Sequence, residues 1–147
     1  MKLKRWECLS LLLVAMLTIV VGQTQAQTPR SVEFMSVDEL KAKLEKRETV
    51  TVIDVRSISD LANSENKIKG AIHVKLRRLK SRLTLPPLKD VSRDSEVVLY
   101  CACPNDEASI RGAEILLESG FKRVHALKGG WVAWKRSGGQ TESRPRG

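Results

Sequence analysis

The sequence predicts an α/β domain built around a mostly parallel β-sheet. After residue 35, segments rich in β-branched residues alternate with segments of helical periodicity along most of the chain. The strand-like segments are continuously apolar and do not alternate, which indicates that helices cover both faces of the sheet. In such sheets ligands bind beyond the carboxyl ends of the strands, so functional residues are expected there.

The first helix has a well-marked start. Ser36 followed by Glu39 forms a capping box, and Leu40 and Leu44 supply the buried face. The next elements are a buried strand over Thr49–Val55, one helical turn at Ile58–Ala62, a short strand at Ala71–Val74, and a basic amphipathic helix with Leu76, Leu79 and Leu83 that Pro86-Pro87 ends.

The second half of the domain repeats the alternation of strand and helix. The pattern predicts a strand over Val97–Tyr100, a helix with Ile110, Ala113, Leu116 and Leu117 on one face, a C-cap at Gly120, a strand over Arg123–Leu127, and a last helix after Gly129-Gly130 in which Trp131 and Trp134 share a face.

The N-terminal residues have the pattern of a secretory signal peptide. Lys2, Lys4 and Arg5 form a positive region, and Leu9–Gly22 is an apolar run shorter than the roughly 20 residues of a membrane span. Small residues ending at Ala26 mark the expected cleavage point. We expect residues 1–26 to be removed, giving an exported periplasmic or extracellular protein without stable membrane insertion. An uncleaved N-terminal anchor is the alternative.

The formal net charge of +9 could indicate an anionic partner. The charges are spread along the chain and cluster only in Lys75–Arg82 and Lys135–Arg146, which we interpret as a solvated helix face and a basic tail, disordered over residues 138–147. Aromatic residues make up 4% of the chain, which argues against a base-stacking nucleic-acid surface.

Two cysteines follow the third strong strand. Cys101 and Cys103 come directly after Val97–Tyr100, and a polar turn and a helix follow. A thiol between a strand end and a helix N-terminus lies where backbone N–H groups favour an anion, which lowers a thiol pKa and makes the thiolate a nucleophile. Because cysteines one residue apart close almost no loop, they are better explained as a chemical pair than as a fold constraint.

At this point the chain resembles a rhodanese-type sulfurtransferase domain over residues 35–137. The landmarks occur in the family's order: Ile53-Asp54-Val55-Arg56, Gly70-Ala71-Ile72-His73-Val74, Val97-Val98-Leu99-Tyr100-Cys101, Gly120-Phe121 with Val124, and Leu127 with Gly129-Gly130-Trp131 and Ala133-Trp134. The resemblance implies a three-layer α/β/α fold with a five-stranded, mostly parallel sheet.

The resemblance also implies persulfide chemistry. A cysteine thiolate would take a sulfane sulfur from a small-molecule donor such as thiosulfate and pass it to a thiophilic acceptor, a thiol or a cyanide-type nucleophile. No metal or organic cofactor is needed. Backbone N–H groups of the loop would cradle the sulfur, so the loop residues expected around it are Asn105, Asp106, Glu107, Ala108 and Ser109.

Either cysteine fits the family's nucleophile. Counting forward from the strand selects Cys101, whereas counting back from Ser109 and the following helix selects Cys103 and keeps the usual loop length to Ala108. A shift of two residues keeps strand parity, so both side chains could point to one side. Pro104 removes one backbone donor. We favour Cys103, with Cys101 as the alternative or a helper thiol.

The loop departs from the family in its charge. Asp106 and Glu107 stand where many relatives carry Arg, and carboxylates near a thiol would repel an anionic donor. They could instead serve as helix N-terminal charges. Arg56, Lys75 and Arg111 could compensate if they face the pocket, although for Arg56 ordering of the loops is the preferred role.

The remaining candidates are expected to be structural. Asp54 is interpreted as a loop organiser that accepts backbone hydrogen bonds, and His73 and His125 as ordinary strand residues. A soft-metal site from the two Cys and two His is disfavoured by their separation in sequence. Two other functions stay open: a catalytically weak rhodanese-like binding module, and a thiol redox protein that cycles the cysteine pair through a disulfide.

Overall fold

The computed structural model describes residues 31–62 and 64–144. The expected signal peptide over residues 1–26 lies outside this part of the chain. Within it, no helix combines the length and the apolar character needed to cross a membrane.

A five-stranded parallel sheet forms the centre of the domain, as predicted. Its strands lie in the order β1, β6, β5, β2, β4. Their bounds are β1 Glu33–Met35, β2 Val50–Asp54, β4 Ile72–His73, β5 Glu96–Tyr100 and β6 Arg123–Leu127.

Helices cover both faces of the sheet. The helical bounds are α1 Val37–Glu45, α2 Ile58–Ala62, α3 Leu79–Arg82, α4 Glu107–Glu118 and α5 Gly130–Arg136, with 3-10 turns at Leu76–Arg78 and Leu88–Asp90. The predicted N-cap of α1 is present, because Ser36 Oγ accepts a hydrogen bond of 3.1 Å from Glu39 N.

Two apolar cores confirm the three-layer arrangement. On one face, α4 and α3 pack through Leu116 and Leu79 against strand residues such as Leu99. On the other face, Trp131 and Trp134 of α5 pack with residues of α1 and the sheet. Because alternate residues of β5 point to opposite faces and all five are buried, its apolar run is continuous.

The predicted disordered tail is wrong for its described part. Strand β7, Thr141–Ser143, pairs antiparallel with β3, Asn66–Ile68. Lys67 Nζ contacts the Glu142 carboxylate and donates to Ala71 O at 2.6 Å. These contacts order a segment whose composition alone is typical of disorder, because the partner strand supplies the hydrogen bonds that the tail lacks by itself.

Candidate active site

The cysteine pair lies at the carboxyl edge of the parallel sheet, beside a cavity of about 470 Å³. The cavity opens where β2, β4 and β5 end. Its wall includes both cysteines, Ala108 at the start of α4, and the segments 55–60 and 75–77. The site therefore occupies the place where parallel α/β sheets bind ligands.

Cys101 forms the floor of the site. It follows β5 directly and is 1% exposed, packed in the core beneath α4. Its carbonyl accepts a hydrogen bond of 2.8 Å from Trp131 N in the first turn of α5, which fixes the backbone at this point. Its Sγ lies 3.9 Å from Ser109 Oγ, at the limit for a sulfur hydrogen bond.

Cys103 lies above Cys101 and is more accessible. Its side chain is partly buried, and it packs on the same core as Cys101, so the two thiols share one side of the sheet. The two Sγ atoms form a disulfide across a Cα–Cα distance of 5.7 Å. Ala108 N donates to Cys103 Sγ at 3.4 Å, which places this sulfur against the first turn of α4. Of the two sulfurs, Cys103 Sγ therefore has both access from solvent and a backbone donor at a helix N-terminus.

The loop between the cysteines and α4 is held by Asp106. This residue has a left-handed backbone with φ 54° and is 6% exposed. The carboxylate turns away from the cavity and accepts a hydrogen bond of 2.7 Å from Gly129 N. Ser109 Oγ donates to the Asp106 carbonyl at 2.7 Å and closes the turn. Asp106 and Ser109 thus shape the loop instead of lining the cavity.

The other polar loop residues point outward. Asn105 is exposed at the tip of the loop. Glu107 is exposed and pairs with Arg111 at 2.9 Å, one helical turn later. The expectation that Arg111 could compensate charge in the pocket is wrong, since its guanidinium lies on the solvent face of α4. Neither loop carboxylate lines the cavity, which lessens the repulsion of an anionic donor that the sequence suggested.

Asp54 and Arg56 form a buried ion pair at the wall of the cavity, and both are 0% exposed. Asp54 Oδ2 accepts from Arg56 Nη2 at 2.7 Å, and Asp54 Oδ1 accepts from Arg56 N at 3.1 Å. Arg56 Nη2 also donates to the Asn66 carbonyl at 2.9 Å. The pair therefore ties the end of β2 to β3. Arg56 also lines the cavity, and its hydrogen bonds in this structure go to Asp54 and Asn66, which supports the loop-ordering role.

The electrostatics of this pair are strongly coupled to its surroundings. Burial disfavours the Asp54 carboxylate, but the His73 imidazole, 3.9 Å away, and the Arg56 guanidinium outweigh it and lower the pKa of Asp54 to about 2. Burial and the Asp54 charge raise the pKa of Tyr100, whose hydroxyl donates to Asp54 at 2.9 Å. The Arg56 guanidinium lies 4.3 Å from the ring centre of Trp131. The group is thus a charged, ordered support for the site.

The cavity wall contains three basic residues and one acidic residue. Lys75 and Arg77 come from the turn after β4, Asp60 comes from α2, and Arg56, already paired with Asp54, follows β2. The Asp60 carboxylate is engaged locally, accepting from Ser57 Oγ at 2.7 Å. The cavity therefore has an excess of positive charge. Part of the cluster Lys75–Arg82, interpreted from sequence as a solvated face, borders the site instead.

Comparison with known protein families agrees with this geometry. Residues 36–137 match the model of the rhodanese-like domain. The chain belongs to the rhodanese-like domain family. The match covers four of the five strands of the central sheet, both helical layers and the cysteine loop, and β1 lies just before it.

Relatives of this rhodanese-like domain include proteins named as sulfurtransferases. It is 27% identical over 101 residues to a sulfurtransferase of Allochromatium vinosum, spanning 69% of this chain and 86% of that protein. It is 27% identical over 103 residues to the thiosulfate sulfurtransferase GlpE of Coxiella burnetii, spanning 69% and 88% of the two chains. The crystal structure of the Alr3790 protein from Anabaena sp. superposes with a TM-score of 0.64 at 31% identity, covering 75% of this chain and 82% of that one.

The histidines of the rhodanese-like domain are not gathered around the cysteines. His73 borders a second cavity, whereas His125 lies 3.6 Å from Glu33 and 3.5 Å from Glu96. In residues 31–62 and 64–144, no group of three or more His, Cys, Asp or Glu residues is arranged to hold a metal ion.

Sequence reasoning missed three contributors to the site. Tyr100 links Asp54 to β3, since its hydroxyl also accepts from Ile68 N at 3.2 Å. Gly129 N anchors the loop, and Arg77 lines the cavity. Only Arg77 carried a signal, because it lies two residues after Lys75 in the basic cluster.

Proposed function

We propose that this protein is an exported rhodanese-type sulfurtransferase that carries a sulfane sulfur as a persulfide on Cys103. The observation that carries the proposal is the position of Cys103 Sγ, partly exposed at the cavity and 3.4 Å from Ala108 N at the start of α4. A backbone donor at a helix N-terminus stabilises both a thiolate and the anionic outer sulfur of a persulfide.

The proposed reaction has two displacement steps. The Cys103 thiolate attacks the sulfane sulfur of the donor, a new S–S bond forms, and the donor's own S–S bond breaks. With thiosulfate as donor, sulfite leaves with the bonding electron pair. A thiol or cyanide-type acceptor then attacks the outer sulfur, and the Cys103 thiolate leaves. The disulfide with Cys101 must first be reduced by a thiol.

Small anionic donors suit the charge of the cavity. Lys75 and Arg77 line it, the loop carboxylates of Asp106 and Glu107 do not, and the named relatives include a thiosulfate sulfurtransferase. Export is supported by the sequence pattern of residues 1–26 and by a cysteine pair that forms a disulfide, which oxidising compartments favour. N-terminal sequencing of protein recovered outside the cytoplasm is expected to show a chain that begins after Ala26.

A donor panel scored by intact mass tests the proposal. Reduced Cys101→Ser and Cys103→Ser variants are treated with thiosulfate, a polysulfide or a low-molecular-weight persulfide. We expect Cys101→Ser, in which no second thiol can displace the bound sulfur, to gain one sulfur atom and Cys103→Ser to gain none. Sulfur uptake by Cys103→Ser equal to that of Cys101→Ser would place the nucleophile elsewhere. Normal folding with no uptake from any donor would favour a binding module.

A thiol redox protein is the second candidate, favoured by the Cys101–Cys103 disulfide. It predicts that the oxidised protein transfers its disulfide to a dithiol substrate at a rate that does not depend on any sulfane donor. Measurement of dithiol oxidation with and without thiosulfate separates the two functions.

A further inference from the structure

The placement of Cys101 gives the sulfur-transfer site a second thiol inside the protein. Cys101 is 1% exposed and lies beneath Cys103, with its Sγ in bonding contact with Cys103 Sγ. An external acceptor reaches the partly exposed Cys103, whereas Cys101 is positioned to react with Cys103 itself.

We propose that Cys101 resolves the Cys103 persulfide and releases its outer sulfur as hydrosulfide. This inference rests on the proposed function and extends it. The Cys101 thiolate attacks the inner sulfur of the persulfide, which is Cys103 Sγ. The Cys101–Cys103 bond forms, the bond to the outer sulfur breaks, and hydrosulfide leaves with the electron pair. With thiosulfate as donor, the sum converts the dithiol protein and thiosulfate into the disulfide protein, sulfite and hydrogen sulfide.

The backbone around both cysteines is fixed in a way that favours this attack. The Cys101 carbonyl is bound to Trp131 N at 2.8 Å, and the loop after Cys103 is fastened through Asp106 to Gly129 N at 2.7 Å. Two reacting groups held in such a geometry behave as if one were present at very high concentration. Ser109 Oγ lies 3.9 Å from Cys101 Sγ and can accept a hydrogen bond from the Cys101 thiol.

This step assigns the protein a place between two classes of reaction. A donor of sulfane sulfur must supply the substrate, and a dithiol reductant must return the Cys101–Cys103 disulfide to the dithiol state after each turnover. When Cys101 reacts before an external acceptor does, the product is hydrosulfide and not a persulfidated acceptor.

The test follows sulfur and hydrogen on the protein by intact mass. The full chain carries Cys8→Ser in every variant, so that Cys101 and Cys103 are the only thiols that can react. Reduced protein receives thiosulfate under anaerobic conditions without any other thiol, and released sulfide is measured with a sulfide electrode. A sample without thiosulfate controls for direct oxidation.

We expect the wild type to release one sulfide per chain and to lose the mass of two hydrogen atoms. Cys101→Ser is expected to keep the mass of one added sulfur, with sulfide release slower by at least about tenfold because the intramolecular attack is lost. Addition of dithiothreitol should then release the sulfide from this variant. Cys101→Ala replaces Cys101→Ser if the serine variant loses its native circular dichroism spectrum.

The outcomes distinguish the two proposals. A wild-type persulfide that lasts as long as that of Cys101→Ser, with no disulfide formed, overturns the resolving role and leaves the sulfurtransferase proposal in place. If neither the wild type nor Cys101→Ser takes up sulfur, both proposals fail.

Discussion

The Asp106 carboxylate accepts a hydrogen bond of 2.7 Å from the backbone N–H of Gly129, across the carboxyl edge of the sheet. This contact joins the cysteine loop to the turn that begins α5. It also keeps a negative charge of the loop away from the cavity. From sequence, Asp106 was interpreted either as a charge that repels an anionic donor or as a helix N-terminal charge, whereas in the structure it holds the loop that presents Cys103.

Replacement of Asp106 is expected to separate the stability that comes from its hydrogen bond to Gly129 N from the cost of its left-handed backbone. Asp106→Gly tolerates φ 54° and removes the hydrogen bond to Gly129, which lowers the free energy of unfolding by about 1.5–3 kcal/mol. Asp106→Ala is expected to be less stable than Asp106→Gly by about a further 1–2 kcal/mol, because alanine is strained in the left-handed region. Urea unfolding of the reduced proteins measures both values.

Asp106→Asn is the matched control for these variants. Asparagine tolerates the left-handed backbone and keeps an oxygen for Gly129 N, so its loss of stability should be the smallest of the three. The rate of sulfur uptake on Cys103 should follow the same order. Equal stability of the Ala and Gly variants would contradict the backbone contribution.

Substitution of Gly130 should disturb the site through the backbone. A Cβ at this position would lie 2.3 Å from the Cys101 carbonyl oxygen, at a residue with φ +46°. Gly130→Ala must therefore displace the Cys101 end of the loop or α5. We expect the unfolding free energy to fall by more than about 2 kcal/mol in total. The left-handed backbone alone accounts for roughly 1–2 kcal/mol of an alanine substitution, and the contact with Cys101 accounts for the rest.

Gly70→Ala provides the control for Gly130→Ala. Gly70 also has a positive φ, +77°, but a Cβ there meets nothing within 4 Å. Its substitution should show the backbone contribution alone and leave sulfur uptake unchanged. A Gly130 variant no less stable than the Gly70 variant would mean that the contact with Cys101 relaxes at little cost.

The buried Asp54–Arg56 pair predicts a specific loss of stability in acid. The folded-state pKa of Asp54, about 2, lies below its ordinary value of 3.8, so the stabilisation is complete above about pH 4 and disappears as the pH falls through about 2. Its size is roughly 2 kcal/mol, taken from the shift. Unfolding free energies of wild type and Asp54→Asn should differ by about 3–5 kcal/mol near pH 6.

The difference in unfolding free energy between wild type and Asp54→Asn should narrow by roughly 2 kcal/mol when the pH is lowered to about 2, because the wild-type carboxylate is then being protonated. A difference that stays constant with pH would show that Asp54 does not titrate in the folded protein.

Most of the fold was predictable because its signals are local. The strand over Arg123–Leu127 and the helical turn at Ile58–Ala62 were predicted with the bounds that the structure has. Strand β1, Glu33–Met35, was missed because three residues at the edge of a sheet carry almost no pattern. Strand β7 was missed for another reason: its order comes from pairing with β3, distant in sequence.

The site was predictable in position but not in orientation. The two cysteines and Asp54 were placed at the carboxyl edge from the strand pattern alone. The orientation of the Asp106 carboxylate depends on its hydrogen bond with Gly129 N. The burial of Arg56 depends on its contacts with Asn66 O and the ring of Trp131. These partners come from other parts of the chain, so spacing within the loop contains no information about them.

The cations of the cavity predict how the proposed sulfurtransferase selects its donor. Lys75 and Arg77 line the cavity, whereas Arg78, next in sequence, is exposed and outside its lining. Lys75→Ala and Arg77→Ala should each raise the KM for thiosulfate about two- to fivefold, since an exposed charge contributes modestly, and Arg78→Ala should change it less. Because solvent ions screen such charges, the differences between variants should shrink as the ionic strength rises to about 1 M. Initial rates of sulfur uptake against thiosulfate concentration at low and high salt give these values. A rise in the KM that stays the same in high salt would show that Lys75 and Arg77 maintain the shape of the cavity and do not attract the charge of the donor.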